Sequence, residues 1–223
     1  MIDSVRVIGS GRVGSAVAAR LAERGVALRD ESADLVLLCV PDTAISAVSA
    51  DVEPGPWVAH VSGATPLAAL APHRRRFSLH PVQTFTRARG PEQLDGAWAA
   101  VTGETPEALS LGFELAEVLG LRPFELDDAE RPLYHAGAVI ASNYLVTLER
   151  AASELFLAAG APSEALEPLM LRTIENEFEL TGPVARGDWE TVERHLRAIR
   201  ARRPQLEEMY RVLADMTATL AAV

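Results

Sequence analysis

The chain has 223 residues, of which 48% are hydrophobic, and its formal net charge is −10. This acidic balance argues against a nucleic-acid partner, and no apolar run approaches the ~20 residues that a membrane span needs. All 21 basic residues are arginine, and the absence of lysine excludes a Schiff-base lysine, a P-loop lysine and a lysine general acid. A proton donor must therefore come from another side chain, and the five histidines are the first candidates.

The first half of the chain alternates strands with helices. Strands are predicted at 5–8, 35–40, 57–61, 77–80 and 97–101, and helices at 12–24, 42–49 and 106–119. This alternation is typical of a parallel, doubly wound sheet. The only cysteine, Cys39, lies in the second of these strands, and a single cysteine fits a reducing compartment. Because a strand is predicted almost at the first residue, which leaves no room for a signal peptide, we expect a cytoplasmic protein.

After about residue 125 the pattern changes to helices alone, predicted at 131–158, 163–178 and 189–221. We therefore predict two domains, an α/β domain over residues 1–125 and an all-helical domain over residues 126–223. The acids between Glu125 and Glu130 are interpreted as a solvated linker. The apolar faces of 131–158 and 189–221 exceed what one small domain covers, so we expect a homodimer through the helical domain.

A glycine-rich segment follows the first predicted strand and opens the first predicted helix. In the pattern Gly-x-Gly-x-x-Gly, the first glycine makes a tight turn, the second lets the backbone approach a pyrophosphate, and the third lets the helix pack close to the strand. The free N–H groups at the helix start then face the anion. We therefore predict that a dinucleotide binds here, although a turn kept only for packing is the alternative. The residues of this turn are Gly9, Ser10, Gly11, Arg12, Val13 and Gly14.

The segment behind this turn is short. Asp30 and Glu31 stand at about the right distance for a ribose ligand, but a solvated turn acid is the alternative. Only one short strand and no helix fit between Gly25 and Leu35, whereas a complete βαβ unit takes ~30 residues. A helix and a strand are therefore expected to be missing, and the sheet to be reduced in size. The choice between NAD and NADP, and the binding of a full dinucleotide, stay open.

Six blocks of sequence carry a resemblance to a known family; they are Gly9–Gly14, Ala33–Asp42, His60–Gly63, Leu79–Phe85, Tyr134–Tyr144 and Leu180–His195. In this order they resemble the Rossmann-like proteins that carry the C-terminal domain of unknown function 2520. These are relatives of the 6-phosphogluconate dehydrogenase-like and ketopantoate reductase groups. The resemblance implies a Rossmann-like parallel sheet followed by an all-helical C-terminal domain, and NAD(P)-dependent reduction; some similar proteins are ketopantoate reductases.

Candidate catalytic residues lie on the first helix of the helical half. His135, Val139 and Ser142 recur at spacings of four and three, which predicts one shared helix face with Asn143 beside it. In the wider superfamily that the chain resembles, a lysine and an asparagine act on the corresponding helix. By analogy His135 takes the place of the lysine as proton donor, and Ser142 and Asn143 orient the substrate. A histidine satisfied by a neighbouring carbonyl is the alternative.

Other candidates follow the ends of strands, where α/β sheets bind their ligands. Val40, Pro41 and Ser62 are expected beside the cofactor, although Ser62-Gly63 is also an ordinary turn signal. His80, Gln83 and Thr84 are candidate substrate contacts, with a His-Pro turn and a capping threonine as the alternative. Arg186 is a candidate fork for a substrate carboxylate. No histidine–carboxylate spacing predicts a metal site.

Two functions are compatible with these features. The first is an NAD(P)-dependent oxidoreductase that reduces a small 2-oxo acid, with ketopantoate as the best single substrate. The second is a degenerate Rossmann protein that no longer binds a full dinucleotide and holds a smaller ligand without catalysis. The missing segment after Asp30 is the feature on which the two hypotheses differ.

Overall fold

Seven strands form one sheet, in the order β2-β1-β3-β4-β5-β6-β7, in the computed structural model, which describes residues 2–222. Neighbouring strands run parallel except for β5 and β6, which are antiparallel. The strands are β1 (Ser4–Ile8), β2 (Ala27–Leu28), β3 (Leu35–Leu38), β4 (Trp57–His60), β5 (Arg76–Pro81), β6 (Trp98–Gly103) and β7 (Arg122–Glu125). The predicted fold class, a Rossmann-like and mainly parallel sheet, is confirmed.

Helices cover both faces of this sheet. The two faces are visible in β3, whose four residues are all buried: Leu35 and Leu37 join one apolar core, and the alternate residues Val36 and Leu38 join another. The first core includes residues of α1 (Arg12–Glu23) and α3 (Pro106–Val118), and the second includes residues of α2 (Ile45–Ala50). Burial on both faces explains why β3 is an uninterrupted apolar run.

The far side of the sheet differs from the prediction in two ways. The connection from β5 to β6 contains only a 3-10 turn at Pro91–Leu94, and β6 returns antiparallel. A parallel return would need a crossover of a dozen or more residues, usually with a helix. The strand β7 was not predicted, because Arg122-Pro123-Phe124-Glu125 lacks an apolar run and contains a proline. Proline is tolerated here because β7 is an edge strand.

The second half contains α4 (Arg131–Val139), α5 (Leu145–Ala159), α6 (Leu166–Glu175), α7 (Trp189–Arg202) and α8 (Glu207–Ala221). The helix predicted over 131–158 is present, and its central segment, Ile140–Tyr144, is π-helical and lies between α4 and α5. The prediction of one helix over 189–221 is wrong. This segment breaks at Arg203-Pro204, where proline lacks the N–H that a continuing helix requires. The helix predicted at 163–178 begins as a 3-10 turn and ends at Glu175.

The chain divides into two units between Ala141 and Ser142. The sequence predicts a boundary near residue 125. In the structure the first unit extends to Ala141, so α4 belongs to the unit of the sheet and not to that of the later helices. The first unit contains the whole sheet. The second unit contains α5–α8, and its core cluster of buried residues consists of Val192, Leu196 and Ala214. No helix in residues 2–222 is both long enough and apolar enough to cross a membrane.

Candidate functional site

The turn between β1 and α1 is packed so closely that two of its glycines cannot be replaced. Gly9 has φ +115°, and a Cβ there would lie 2.3 Å from the backbone oxygen of Cys39. A Cβ at Gly14 would lie 2.0 Å from the backbone oxygen of Gly9. Gly9 therefore makes the tight turn against the end of β3, and Gly14 lets α1 approach that turn, as the sequence pattern predicts.

Gly11 is in the opposite situation. A Cβ at this position would meet nothing within 4 Å, and its φ of −71° is open to any residue. Gly11 is the N-cap of α1, no side chain caps the helix, and no acidic residue lies in its first turn. The first N–H groups of a helix lack intrahelical partners and attract anions. The turn thus leaves open space beside an uncapped helix start, which fits the phosphates of a dinucleotide. Ser10 and Arg12 are exposed at this opening, and Val13 is half-buried.

The connection from α1 through β2 to β3, where a Rossmann protein binds the adenosine of its dinucleotide, is short, as the sequence predicts. We call this connection the adenosine side of the turn. The edge strand β2 pairs with β1 only through Ser4 and Val5. The six residues 29–34 then lead directly into β3 without forming a helix. Asp34 anchors this segment by accepting hydrogen bonds from the backbone N–H (2.9 Å) and hydroxyl (2.7 Å) of Ser4. Asp30 and Glu31 are exposed in it. The connection between α1 and β3 is therefore short.

Strand register aligns several chain segments at the carboxyl edge of the sheet. Ile8 is opposite Leu38, Leu38 is opposite His60, and His60 is opposite Ser78. Parallel α/β sheets bind ligands at this edge. Val40 and Pro41 follow β3 at the same edge, where Val40 is half-buried and Pro41 is exposed.

Two histidines and a tyrosine meet at this edge. Nδ1 of His80, on β5, lies 2.6 Å from the hydroxyl oxygen of Tyr134, on α4. The ring centroids of His80 and His135 are 6.2 Å apart. A Cβ at Gly63, in the turn after β4, would lie 2.7 Å from Cε1 of His80 and 2.8 Å from Cδ2 of His135. Glycine at 63 therefore leaves the space that the two rings occupy beside this turn. We call these four residues the histidine cluster.

Burial keeps the His80–Tyr134 pair uncharged. Burial, with the neighbouring charges of His135 and Arg131, lowers the pKa of His80 to about 4. Burial also raises the pKa of Tyr134 to about 12. At neutral pH the pair therefore holds two protons, one on the imidazole and one on the phenol, and the short hydrogen bond uses one of them. Whichever group donates in that bond, either Nε2–H of His80 or the hydroxyl proton of Tyr134 stays available to a ligand.

A buried arginine fixes the start of α4, and with it Tyr134 and His135. Arg131 is 1% exposed; its Nε donates to Asp128 at 2.6 Å, and its Nη1 donates to the backbone oxygen of Ser62 at 3.1 Å. Its Nη2 donates to the hydroxyl of Ser78. Asp128 in turn accepts from the backbone N–H of Leu67. The interpretation of Asp128 as part of a solvated linker is therefore wrong, because this carboxylate neutralises a buried guanidinium.

His60 and Ser62 are occupied within their own turn. Nδ1 of His60 accepts the backbone N–H of Ser62 at 3.2 Å, and the imidazole is fully buried. Burial and the charge of Arg131 lower the pKa of His60 to about 3. The hydroxyl of Ser62 donates to Thr65 at 2.9 Å and accepts the N–H groups of Ala64 and Thr65. The turn thus uses the Ser62 hydroxyl, and the role of Ser62 in cofactor binding stays a prediction.

Of the remaining predicted site residues, some belong to the first unit and others to the second. In the first unit, Gln83 donates to the backbone oxygen of Gln93 and accepts the N–H of Thr84, so its amide shapes the loop after β5. In the second unit, the hydroxyl of Ser142 lies 3.5 Å from Oδ1 of Asn143. Both lie in the π-helical segment, so the 3.6-residue period that predicts a face shared with His135 does not hold there. Arg186 is exposed.

Sequence reasoning missed four residues that organise the site: Gly63, Asp128, Arg131 and Tyr134. Only the pair Asp128 and Arg131 carried a readable signal, since opposite charges three residues apart can meet on one helical turn. The roles of the other two depend on contacts with distant strands. Within residues 2–222, no group of three or more His, Cys, Asp or Glu side chains is placed to hold a metal ion.

Solved structures share this fold over nearly the whole chain. A protein of Bacteroides fragilis, described as a candidate NADP oxidoreductase, is 21% identical, with 98% of each chain covered and a TM-score of 0.81. A protein of Thermotoga maritima is 23% identical, with 98% of each chain covered and a TM-score of 0.77. An NADH-preferring ketol-acid reductoisomerase from an uncultured archaeon is 14% identical, with 97% of this chain and 82% of that chain covered and a TM-score of 0.65. At these identities the likeness establishes the fold.

The sheet, the glycine turn and the helices that follow define a Rossmann-like protein with a helical C-terminal half. The family described as "Domain of unknown function (DUF2520)" matches residues 97–217, which is more than half of the chain. The chain belongs to this family, and the resemblance predicted from its sequence blocks is confirmed. No curated protein matches the chain.

Proposed function

We propose that the protein is an NAD(P)-dependent oxidoreductase that reduces the carbonyl group of a small 2-oxo acid, with ketopantoate as the first substrate to test. The observation that carries this proposal is the contrast among the three glycines of the turn. Gly9 and Gly14 are closed off by backbone atoms, whereas Gly11 faces open space beside an uncapped helix start. A turn kept only for packing would have no reason to leave the middle position open.

The named relatives support the same class of reaction. One is described as a candidate NADP oxidoreductase, and another is an NADH-preferring reductoisomerase. In this proposal Gly9–Gly14 hold the phosphates of the dinucleotide, and Val40 and Pro41 stand beside it at the ends of the strands. The bound nicotinamide would supply the hydride that reduces the substrate.

The histidine cluster would supply the proton. Reduction of a carbonyl leaves an alkoxide that must be protonated, and the chain has no lysine to do this. The His80–Tyr134 pair keeps one unshared proton at neutral pH because both groups are uncharged there. In this proposal that proton passes to the alkoxide, and His135, whose ring adjoins that of His80, returns a proton to the pair from solvent. Arg131 holds Tyr134 and His135 in position without contacting the substrate.

The variant Gly11→Ala tests the carrying observation. The added methyl group meets nothing in the free protein, so the free energy of unfolding should change by less than about 1 kcal/mol. The same methyl would stand where the phosphates approach, and the Kd for NADPH and NADH, measured by isothermal titration calorimetry, should rise at least ~10-fold.

The matched control is Gly137→Ala, because a Cβ at Gly137 on α4 also meets nothing within 4 Å. This control should bind both dinucleotides as the unmodified protein does. Failure of the unmodified protein to bind either dinucleotide, or equal binding by Gly11→Ala, would contradict the proposal.

The short adenosine side favours one alternative function, a small-ligand-binding protein without catalysis. The strand β2 has two residues, and residues 29–34 form no helix. A protein of that kind would bind a mononucleotide as tightly as NADPH and would not oxidise NADPH in the presence of any 2-oxo acid. The test follows NADPH oxidation by the loss of reduced-nicotinamide absorbance at ~340 nm. Oxidation that depends on ketopantoate or a related acid excludes this alternative.

A further inference from the structure

A cavity of about 310 Å³ lies beside the glycine turn, outside the histidine cluster. One wall is the start of α1, and the other is the loop 86–91 that follows β5. Its lining includes six polar and basic residues, namely Ser10, Arg12, Ser15, Thr86, Arg87 and Arg89. Ser10 and Arg12 belong to the glycine turn, whereas the loop 86–91 has no role in the proton transfer proposed above.

Three arginines line this cavity in a chain whose net charge is −10. Some other arginines of the chain are paired, for example Arg20 with Asp95, Arg76 with Glu104 and Arg131 with Asp128. Arg12, Arg87 and Arg89 form no side-chain ion pair or hydrogen bond within the part of the chain that the structure describes. Glu92, in the same loop, accepts the backbone N–H of Gly90 at 2.9 Å. Among the described residues that line the cavity, three are arginines and none is acidic.

The loop that carries Arg87 and Arg89 is held in shape by one buried amide. Gln93 is 7% exposed, and the two N–H groups of its Nε2 are shared among the backbone oxygens of Thr86, Arg89 and Gly90, which lie 2.9–3.2 Å away. Its Oε1 accepts the backbone N–H of Thr86 at 2.8 Å. These contacts hold the backbone on both sides of Arg87 and Arg89. The two arginines thus extend from a preformed loop, which lowers the entropy lost when they bind an anion.

A second buried side chain fixes the distance between the two walls. Arg20, on α1, donates to the backbone oxygen of Pro91 at 2.9 Å and pairs with Asp95 at 2.9 Å. This side chain is 8% exposed. The cavity is therefore bounded by one helix and one loop that are tied together at its base.

We propose that Arg12, Arg87 and Arg89 form a binding site for a diphosphate group, and that this site holds the dinucleotide of the proposed function by its phosphates. Guanidinium forks bind phosphate oxygens in pairs, and Arg12 follows Gly11 at the helix start where such oxygens would arrive. The short β2 leaves little chain to hold the adenosine, so the phosphates must contribute more of the affinity. The proposal rests on the proposed function and adds to it the residues of the loop after β5.

The test uses the full chain and the variant Arg87→Ala/Arg89→Ala, with inorganic pyrophosphate, NADH and NADPH as separate ligands in calorimetry. Both arginines are exposed, so the variant is expected to fold normally. The Kd for each of the three ligands should rise at least ~10-fold, since a charge-assisted phosphate contact is lost at each position. The matched control is Arg74→Ala, an exposed arginine that does not line the cavity, which should bind all three ligands unchanged.

The outcomes separate this inference from the proposed function. If NADH and NADPH bind but are indifferent to the double variant, the diphosphate site is overturned while the proposed function stands. If only NADPH binding weakens, the arginines contact the 2′-phosphate, and the diphosphate assignment is overturned. If pyrophosphate binds and depends on Arg87 and Arg89 whereas neither dinucleotide binds, the cavity is a diphosphate site and the proposed function fails.

Discussion

The histidines of this chain are distinguished by burial rather than by sequence context. His60, His80 and His135 each lie near a turn or a helix start. Their neighbours in the sequence do not show which of them is structural and which belongs to a site. The structure buries His60 completely beside Arg131, whereas His80 stays in contact with Tyr134 at the edge of the sheet. One histidine therefore serves the stability of the turn, and the other belongs to the candidate site.

The burial of His60 should make the free energy of unfolding depend on pH. The pKa of His60 is about 3 in the folded protein and about 6.5 in an unfolded chain, so the unfolded state binds more protons between these values. The free energy of unfolding should therefore fall as pH falls from about 6.5 towards 3, and this residue should account for up to roughly 4 kcal/mol.

Urea unfolding of the protein and of His60→Gln at several pH values measures this contribution. Carboxylates titrate in both proteins, so their contribution cancels in the comparison. The variant should lose less stability over that pH range than the unmodified protein does. Equal slopes in the two proteins would show that His60 is not the group that takes up the proton.

Whole elements were predicted well where one local pattern determines them. The buried strands β1, β3, β4 and β5 are short apolar runs bounded by turn residues, and α1 and α3 repeat apolar residues with helical spacing. The strand β7 lacked such a pattern, because its pairing with β6 depends on tertiary contacts. The π-helical segment has no sequence signature in a single chain. By contrast, the break at Pro204 was visible in the sequence and was missed.

The sequence identified candidate site residues, but it did not predict which of them contact each other. His80 and His135 were both candidates, yet their contact depends on how α4 meets the carboxyl ends of β4 and β5. That placement is decided by Arg131, whose hydrogen bonds reach Ser62 and Ser78 in two other segments. Long-range contacts of this kind leave no periodic trace in the sequence.

The attachment of α4 to the sheet should depend on Asp128. Asp128→Asn removes the charge that neutralises the buried Arg131, and an uncompensated buried charge costs roughly 3 kcal/mol. The free energy of unfolding should fall by about that amount in chemical denaturation. Asp127→Asn is the matched control, because Asp127 is exposed and caps only the N–H of Ala129. A loss in the control as large as that in Asp128→Asn would contradict this role of the ion pair.

The second unit leaves much apolar surface exposed. Its buried cluster is small, while large apolar side chains of α5, α6 and α8 are exposed. We propose that a second copy of the chain covers them, since a symmetric pair lets the same helices serve both sides of the interface. The exposed residues include Leu145, Val146, Leu157, Leu169, Leu171, Ile174, Met216 and Leu220.

Sedimentation equilibrium should therefore give twice the chain mass of 24.0 kDa. The variant Leu171→Asp/Met216→Asp should sediment as a monomer, because a charge buried in an apolar interface is costly. Leu28→Asp, at an exposed leucine on β2 in the first unit, is the control and should stay dimeric. A monomeric unmodified protein would contradict the proposed pairing.

Gly63 gives the candidate site a marker that can be read in other sequences. Its constraint comes from the volumes of two imidazole rings and not from an unusual backbone angle. Any larger residue there would displace the ring of His80 or of His135. A related chain that carries both histidines and a side chain at this position must therefore arrange them differently, and one that keeps the glycine is free to arrange them as here. A side chain at this position therefore excludes this arrangement of the two rings, whereas glycine permits it.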